Sequence, residues 1–230
     1  MMKTILITGS TDGLGKEVAR RLVTQGHKVL IHGRNPEKGQ LVINELAKLT
    51  DHANIEYFNA DLSSLAEVKK LSKDILASRS RLDVLVNNAG IGPRTKDSPR
   101  QLSKDGLEMF FAVNYLAGYF LAREPMPLLK SSAPARVINV ASIAQVAINF
   151  DDPMLENNYG DYQAYSQSKL AQILHTMDLA QQLAGSGVSA NSLHPATLMN
   201  TKMVLDSSAL PDSRTTVEEG ADALENLIMG

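Results

Sequence analysis

Tyr165 and Lys169 stand four residues apart in "GDYQAYSQSKLAQIL" (residues 160–174). At one helical turn's spacing a phenol and an ammonium project from the same face. Such a pair can donate and take up a proton at a substrate oxygen. A free tyrosine titrates near 10, so working near neutrality requires a drop of roughly 2–3 pH units, or ~3–4 kcal/mol. A lysine cation ~4 Å away at an effective dielectric of ~20 supplies about 4 kcal/mol, so one well-placed ammonium is sufficient. The other tyrosines act as controls. Tyr57, Tyr115, Tyr159 and Tyr162 are followed at +4 by Asp61, Tyr119, Gln163 and Ser166, and only Tyr119 has another cation there, Arg123. No further motif accompanies Tyr119, which reads as structural.

A second feature is "TGSTDGLG" (8–15), which places Gly9, Gly13 and Gly15 between an apolar run and a helical pattern. A turn of this kind lets the backbone of Gly9, Ser10, Thr11, Asp12, Gly13, Leu14 and Gly15 approach a pyrophosphate, with the helix N-terminus adding partial positive charge. The spacing is GxxxGxG rather than GxGxxG, and a tight turn that merely tolerates glycine is the plain alternative. The next apolar run ends "LIHGRN" (30–35), with Arg34 and no carboxylate at the turn. An arginine there accommodates a ribose 2′-phosphate, so NADP(H) is the expected preference, with NAD(H) left open. Arg34 as a solvated loop charge is the alternative. His32 reads as a strand residue.

Positioning these groups requires a regular scaffold. Apolar runs at 3–8, 27–33, 54–60, 82–88, 135–142 and 187–194 read as strands buried on both faces. Helical patterns fall at 13–25, 36–50, 64–78, 103–130 and 163–185. That alternation predicts an α/β fold with a parallel sheet. Ser64 and Glu67 have capping-box spacing, Pro36 suits a first helical turn, and Pro125 and Pro127 should break the fourth helix near Glu124. Polar, glycine- and proline-rich stretches at 92–105, 149–161 and 206–214 read as surface loops. No repeat or linker divides the chain, so residues 1–230 are expected to form one domain.

Composition narrows the chemistry. The 230 residues contain no cysteine, which excludes thiolate catalysis, zinc–thiolate sites and disulfides; no metal site is expected. Net charge is −2, so no basic field calls for nucleic acid or anionic lipid. No run approaches the ~20 apolar residues of a membrane span, and the N-terminal apolar run is too short for a signal peptide. A soluble, cytoplasmic protein without a membrane partner is expected.

The motifs also occur in a familiar order. After "TGSTDGLG" come "NNAG" (87–90), Asn114 in "FFAVNYLAGYFL", Ser142 at the end of the fifth strand, "YSQSK" (165–169) and "HPATLMNT" (194–201). The chain in this respect resembles the short-chain dehydrogenase/reductase family over residues 4–201, and "QSKLAQIL" resembles its retinol-dehydrogenase-like branch. The resemblance implies a Rossmann-type doubly wound parallel sheet in three α/β/α layers. It implies Tyr165 as proton donor or acceptor, tuned by Lys169, which would also hold the nicotinamide ribose. It implies Ser142 on the substrate oxygen and Asn114 anchoring a water relay from Lys169. Around the cofactor it implies Asp61 and Leu62 at the adenine, Asn87 or Asn88 with Ala89 and Gly90 as a wall, and Pro195, Ala196 and Thr201 beside the nicotinamide. Asp61 can equally begin the following helix, and Ser142 can be a strand-end serine that satisfies backbone.

Two departures stand out. Ala196 occupies a position where the family usually has glycine, which can reshape that turn unless φ there is negative. The chain also stops where the family adds a loop and a seventh strand, consistent with a shortened form or a truncation. Six strands are therefore expected, and tetramer formation is in doubt. A homodimer through the helices of 103–130 and 163–185 is left open. The expected activity is hydride exchange between nicotinamide and a small-molecule carbonyl or alcohol, with loops 146–158 and 201–215 shaping the pocket. The rival is an NADP(H)-binding sensor without chemistry.

Overall fold

The apolar runs form six parallel strands: β1 (Thr4–Ile7), β2 (Lys28–Gly33), β3 (Ile55–Asn59), β4 (Val84–Asn87), β5 (Ala135–Val140) and β6 (Val188–Leu193). A computed structural model describes residues 1–49, 54–95 and 98–230 of the chain. Residue 50 of the expected helix 36–50 and residues 96–97 of the expected loop 92–105 lie outside the described residues. The strand order is β3-β2-β1-β4-β5-β6, and each neighbouring pair is parallel. Two winding directions diverge from β1 and β4, which opens a crevice beyond the carboxyl ends of those strands.

Side chains alternate across the sheet, as the period of two requires. Leu6, Leu30, Leu85 and Val137 enter one core, whereas Ile5, Val29, Val84 and Ile138 enter the other. This is why strands buried on both faces read as unbroken apolar runs. Helices α1 (Gly13–Thr24) and α2 (Pro36–Leu46) cover the second face, and α3 (Leu65–Ser78) and α4 (Ala117–Arg123) the first. The short α5 (Met126–Ser131) precedes β5, and the long α6 (Asp161–Gln182) follows it on the α3 side. Residues Lys202–Leu205 form a single turn, α7, and α8 (Val217–Met229) packs beside α1. The result is the parallel α/β sheet expected from the alternation, in the doubly wound three-layer form that the family resemblance implies. Among the described residues no helix is long and apolar enough to cross a membrane.

The expected helix 103–130 is corrected in its first part. Leu102 and Glu108 form an antiparallel bridge around Gly106, whose φ is +77°. The buried Glu108 carboxylate accepts the N–H groups of Phe110 and Phe111 at 3.0 and 2.7 Å, and helical structure starts only at Met109. Phe111–Leu116 then wind as a π-helical turn into α4, and the break at Pro125 falls where expected. Ser64 caps α3 by accepting from the Glu67 N–H, but the Glu67 carboxylate takes the Asp61 N–H instead of closing the box. The complete capping box is on α8, between Thr216 and Glu219.

Candidate active site

The turn after β1 is shaped by what presses against it. Gly9 has φ +66°, and a Cβ there would lie 2.8 Å from the Ala89 Cα. At Gly15 a Cβ would lie 2.5 Å from Asn88 Nδ2 and 2.6 Å from the Gly9 carbonyl. Only glycine lets the segment after β4 close onto the turn. Thr8 locks the two together, its Oγ1 accepting the Asn88 and Ala89 N–H groups at 3.0 and 2.9 Å. Asn88 Nδ2 returns a bond to the Thr8 carbonyl at 2.8 Å.

The second strand supplies a further lock. His32 Nδ1 accepts the Gly9 N–H at 3.1 Å, and its Nε2 lies 3.2 Å from the Ala60 carbonyl. Burial lowers its pKa to about 4, so the ring is neutral and the Nδ1 acceptor role puts the proton on Nε2. The Ser10 N–H goes to the His32 carbonyl and its hydroxyl to the Ile7 carbonyl. The N–H groups of Gly9 and Ser10 are therefore engaged inside the protein. Their part is shape. Leu14 turns its side chain into the core.

Thr11, Asp12 and Gly13 face outward from this frame. Thr11 packs on Gly33, where a Cβ would lie 2.7 Å from its methyl carbon. Asp12 caps α1 by accepting the Gly13 N–H at 2.9 Å and pairs with Lys202 at 2.8 Å. Burial pushes its pKa up, but the Lys202 and Gly13 hydrogen bonds outweigh that and leave it below the ordinary value. Thr201 sits over Gly13, its methyl 3.4 Å from where a Cβ would be. The segment from Pro195 through Ala196 to Thr201 thus returns from β6 to the glycine turn. The left-handed residue in it is Leu198, at φ +54°, and not Ala196. Arg34 stands exposed beyond Gly33. Asp61 accepts the Ser63 N–H and pairs with Lys104 at 3.1 Å, and Leu62 is buried behind it.

Across the crevice, Ser142 follows the end of β5 and Tyr165 and Lys169 share the inner face of α6. Tyr165 meets Phe110 edge to face, at 6.1 Å between ring centroids, and packs with Leu155 of the loop 146–158. Burial raises the Tyr165 pKa above 10, with the Ser142 hydroxyl opposing the rise. Lys169 is buried, and its Nζ donates to the Val140 carbonyl at 2.9 Å and to Gln172 Oε1 at 3.0 Å. It lies 5.9 Å from the Tyr165 ring centroid. Backbone and amide oxygens hold the Lys169 ammonium, and burial is the largest influence on the Tyr165 phenol.

Asn114, on the π-helical turn, grips the chain after β4. It accepts the Ile91 N–H at 2.9 Å and donates to the Ile91 carbonyl and to Ser168 Oγ, both at 3.1 Å. A Cβ on Gly90 would lie 3.2 Å from Asn114 Oδ1 and 3.6 Å from Lys169 Nζ, so this glycine joins the two halves of the site. Asn87 does not form a wall. Its side chain is buried and donates to Asn139 Oδ1 and the Gly118 carbonyl. Thr8, His32 and Gln172 escaped the sequence reading. For His32 the available signal was an imidazole within an otherwise apolar strand; Gln172 is signalled only by its position one turn beyond Lys169.

A profile of the family described as "short chain dehydrogenase" matches residues 3–210. Human (Homo sapiens) retinol dehydrogenase 13 is 37% identical over 196 residues, which cover 84% of this chain and 58% of that protein. Human retinol dehydrogenase 11 is 38% identical over 200 residues, 86% of this chain and 62% of that protein. The solved Pseudomonas aeruginosa "RhlG/NADP active-site complex" superposes with a TM-score of 0.76 at 25% identity, covering 98% of this chain and 89% of that one. The chain belongs to the short chain dehydrogenase family. Within it, the chain falls in the retinol-dehydrogenase-like branch. It spans about three-fifths of the length of the curated relatives it matches.

Proposed function

We propose that the protein is an NADP(H)-dependent oxidoreductase that interconverts a carbonyl compound and its alcohol, with Tyr165 as general acid and base. One observation carries the reading: Ser142, Tyr165 and Lys169 line the same crevice as the glycine turn, joined through Gly90. A dinucleotide suits this turn, because glycines at 9, 15 and 90 let the segment after β4 close onto it, with Thr11, Asp12 and Gly13 facing outward. Thr11, Asp12 and Gly13 with the α1 N-terminus would hold the pyrophosphate, and Arg34 the 2′-phosphate. Asp61 and Leu62 would border the adenine, Asn88, Ala89 and Gly90 the middle of the cofactor, and Pro195, Ala196 and Thr201 its nicotinamide end. The NADP of the Pseudomonas aeruginosa active-site complex agrees with this choice. When bound, the nicotinamide supplies or accepts the hydride.

The chain's own groups manage the proton. Tyr165 carries its proton across the neutral range, because burial raises its pKa; delivering that proton to a developing alkoxide, or taking it back, needs the pKa lowered again in the occupied site. Ser142 donates to the same oxygen. Lys169, charged below about 8, adds positive potential beneath the site, and Asn114 holds the backbone against which it rests. Loops 146–158 and 201–215 shape the substrate pocket. A cytoplasmic location, a single domain and a homodimer belong to the same proposal.

The test is NADPH oxidation against a panel of ketones and aldehydes, wild type against Tyr165→Phe. Loss of a general acid lowers turnover by about 10²–10⁴-fold, while NADPH binding measured by fluorescence stays unchanged. Equal turnover in both proteins refutes the role of Tyr165. Tight NADPH binding without oxidation by any substrate instead identifies a dinucleotide sensor.

A further inference from the structure

Among the described residues Lys169 is the one buried lysine or arginine, at 4% exposure. An ammonium has three donors. Two are met by the Val140 carbonyl and Gln172 Oε1, and neither partner carries a charge. The surroundings are equally neutral on every side. β5 offers the Val140 carbonyl, the segment after β4 offers Gly90, and the π-helical turn offers Asn114. The titratable neighbour is Tyr165 on the same helix. Burial alone lowers the Lys169 pKa, to about 8.

Gln172 is itself buried. It is 3% exposed, and its backbone carbonyl accepts the Thr176 hydroxyl at 2.7 Å. Thr176 Oγ1 accepts from Asn139 Nδ2 at 2.8 Å, and Asn139 Oδ1 accepts from Asn87 Nδ2 at 2.8 Å. A buried polar chain therefore runs from β4 through β5 into α6 and ends at the main chain of Gln172. Buried amides and hydroxyls are costly unless paired; the Thr176, Asn139 and Asn87 groups are bonded in turn, and Asn87 Oδ1 at the far end has no partner. The i,i+3 spacing puts Gln172 on the Lys169 face of α6.

We propose that Gln172 is a positioning residue for Lys169: its side-chain oxygen holds the ammonium at the end of β5 and sets the pH above which the site loses that cation. The consequence for turnover rests on the oxidoreductase reading; the lysine titration does not. A carboxylate at 172 would stabilise the charged lysine as an ion pair, and an apolar side chain would remove one of its two acceptors. The neutral amide lies between, supporting the cation without cancelling its charge.

The test is an NMR titration of lysine side-chain resonances in the protein without cofactor, with Lys169 assigned by its loss in Lys169→Met. The wild-type midpoint is expected near 8. In Gln172→Met it should fall, and in Gln172→Glu rise, each by ~1 pH unit. The basic limb of the pH profile for NADPH turnover should move in the same two directions. A purely structural role predicts loss of thermal stability in both variants and no opposite-signed movement. Indistinguishable midpoints in folded Gln172→Met overturn the proposal, and that variant decides it even where Gln172→Glu fails to fold. Ordered midpoints in a protein that never oxidises NADPH uphold the positioning role while refuting the oxidoreductase reading. Unmoved midpoints in an active protein do the reverse.

Discussion

At the β1 end of the crevice the chain presents backbone, and at the β5 end it presents side chains. The glycine turn is held by Thr8, Asn88 and His32 through bonds to main-chain atoms, and the cations around it, Arg34, Lys38 and Lys202, are exposed. The other end places one cation, Lys169, out of water among neutral oxygens. Exposed charges are screened and act weakly, whereas a buried charge feels each dipole near it. The β1 end should therefore fail through shape and the β5 end through electrostatics.

Three substitutions probe that contrast. The largest effect is expected from Gly9→Ala. A left-handed conformation for alanine costs about 1–2 kcal/mol, and the overlap with the Ala89 backbone adds about 1–3 kcal/mol. Urea denaturation should register a loss of about 3 kcal/mol, with dinucleotide binding reduced in the same protein. A stability change near zero would mean that the turn is not shape-limited.

Arg34→Ser comes next. Losing a charge-assisted bond to a 2′-phosphate is worth about 1.5–3 kcal/mol when the bond is well formed, and less at an exposed site. The ratio of NADPH to NADH affinity, read by fluorescence titration, should fall about tenfold, or ~1.4 kcal/mol. An unchanged ratio would make Arg34 a solvated loop charge.

The smallest effect concerns Lys169→Met, and its sign is the informative part. The folded pKa, about 8, lies below the ordinary 10.5. Between these values the unfolded chain binds more protons, so stability rises with pH across that window and is lowest below about 8. Burying the cation costs about 3 kcal/mol at pH 7, and methionine removes that cost but leaves two oxygens without donors at about 1 kcal/mol each. Lys169→Met should be about 1 kcal/mol more stable than wild type at pH 7, with the gain shrinking by pH 10 and turnover lost. A variant less stable at pH 7 would show that the lysine contributes to folding.

The fold was legible because both of its signals are local. Ile5, Leu6 and Ile7 are consecutive apolar residues in a strand covered on both sides, and each intervening helix carries its own period. The site was legible where a motif names a backbone requirement: Gly9, Gly15 and Gly90 are glycines because of close approach. It was not legible where the partner is distant in sequence. Ser103 began an expected helix, yet helical structure starts at Met109, where the Glu108 carboxylate accepts the N–H groups of Phe110 and Phe111. Asn87 and Asn88 are adjacent, and strand alternation sends one into the core and the other to the glycine turn.

Periodicity and chain geometry act over a few residues, so they sufficed for the parallel α/β sheet, the glycine turn and the placing of Tyr165 and Lys169 on one helical face. They could not specify which way the ammonium points or what the phenol pKa becomes. Those depend on the depth of burial and on oxygens from Val140, 29 residues away, and from Gln172. Only the assembled fold settles them, because desolvation and hydrogen bonding belong to the packed environment and not to the residue types.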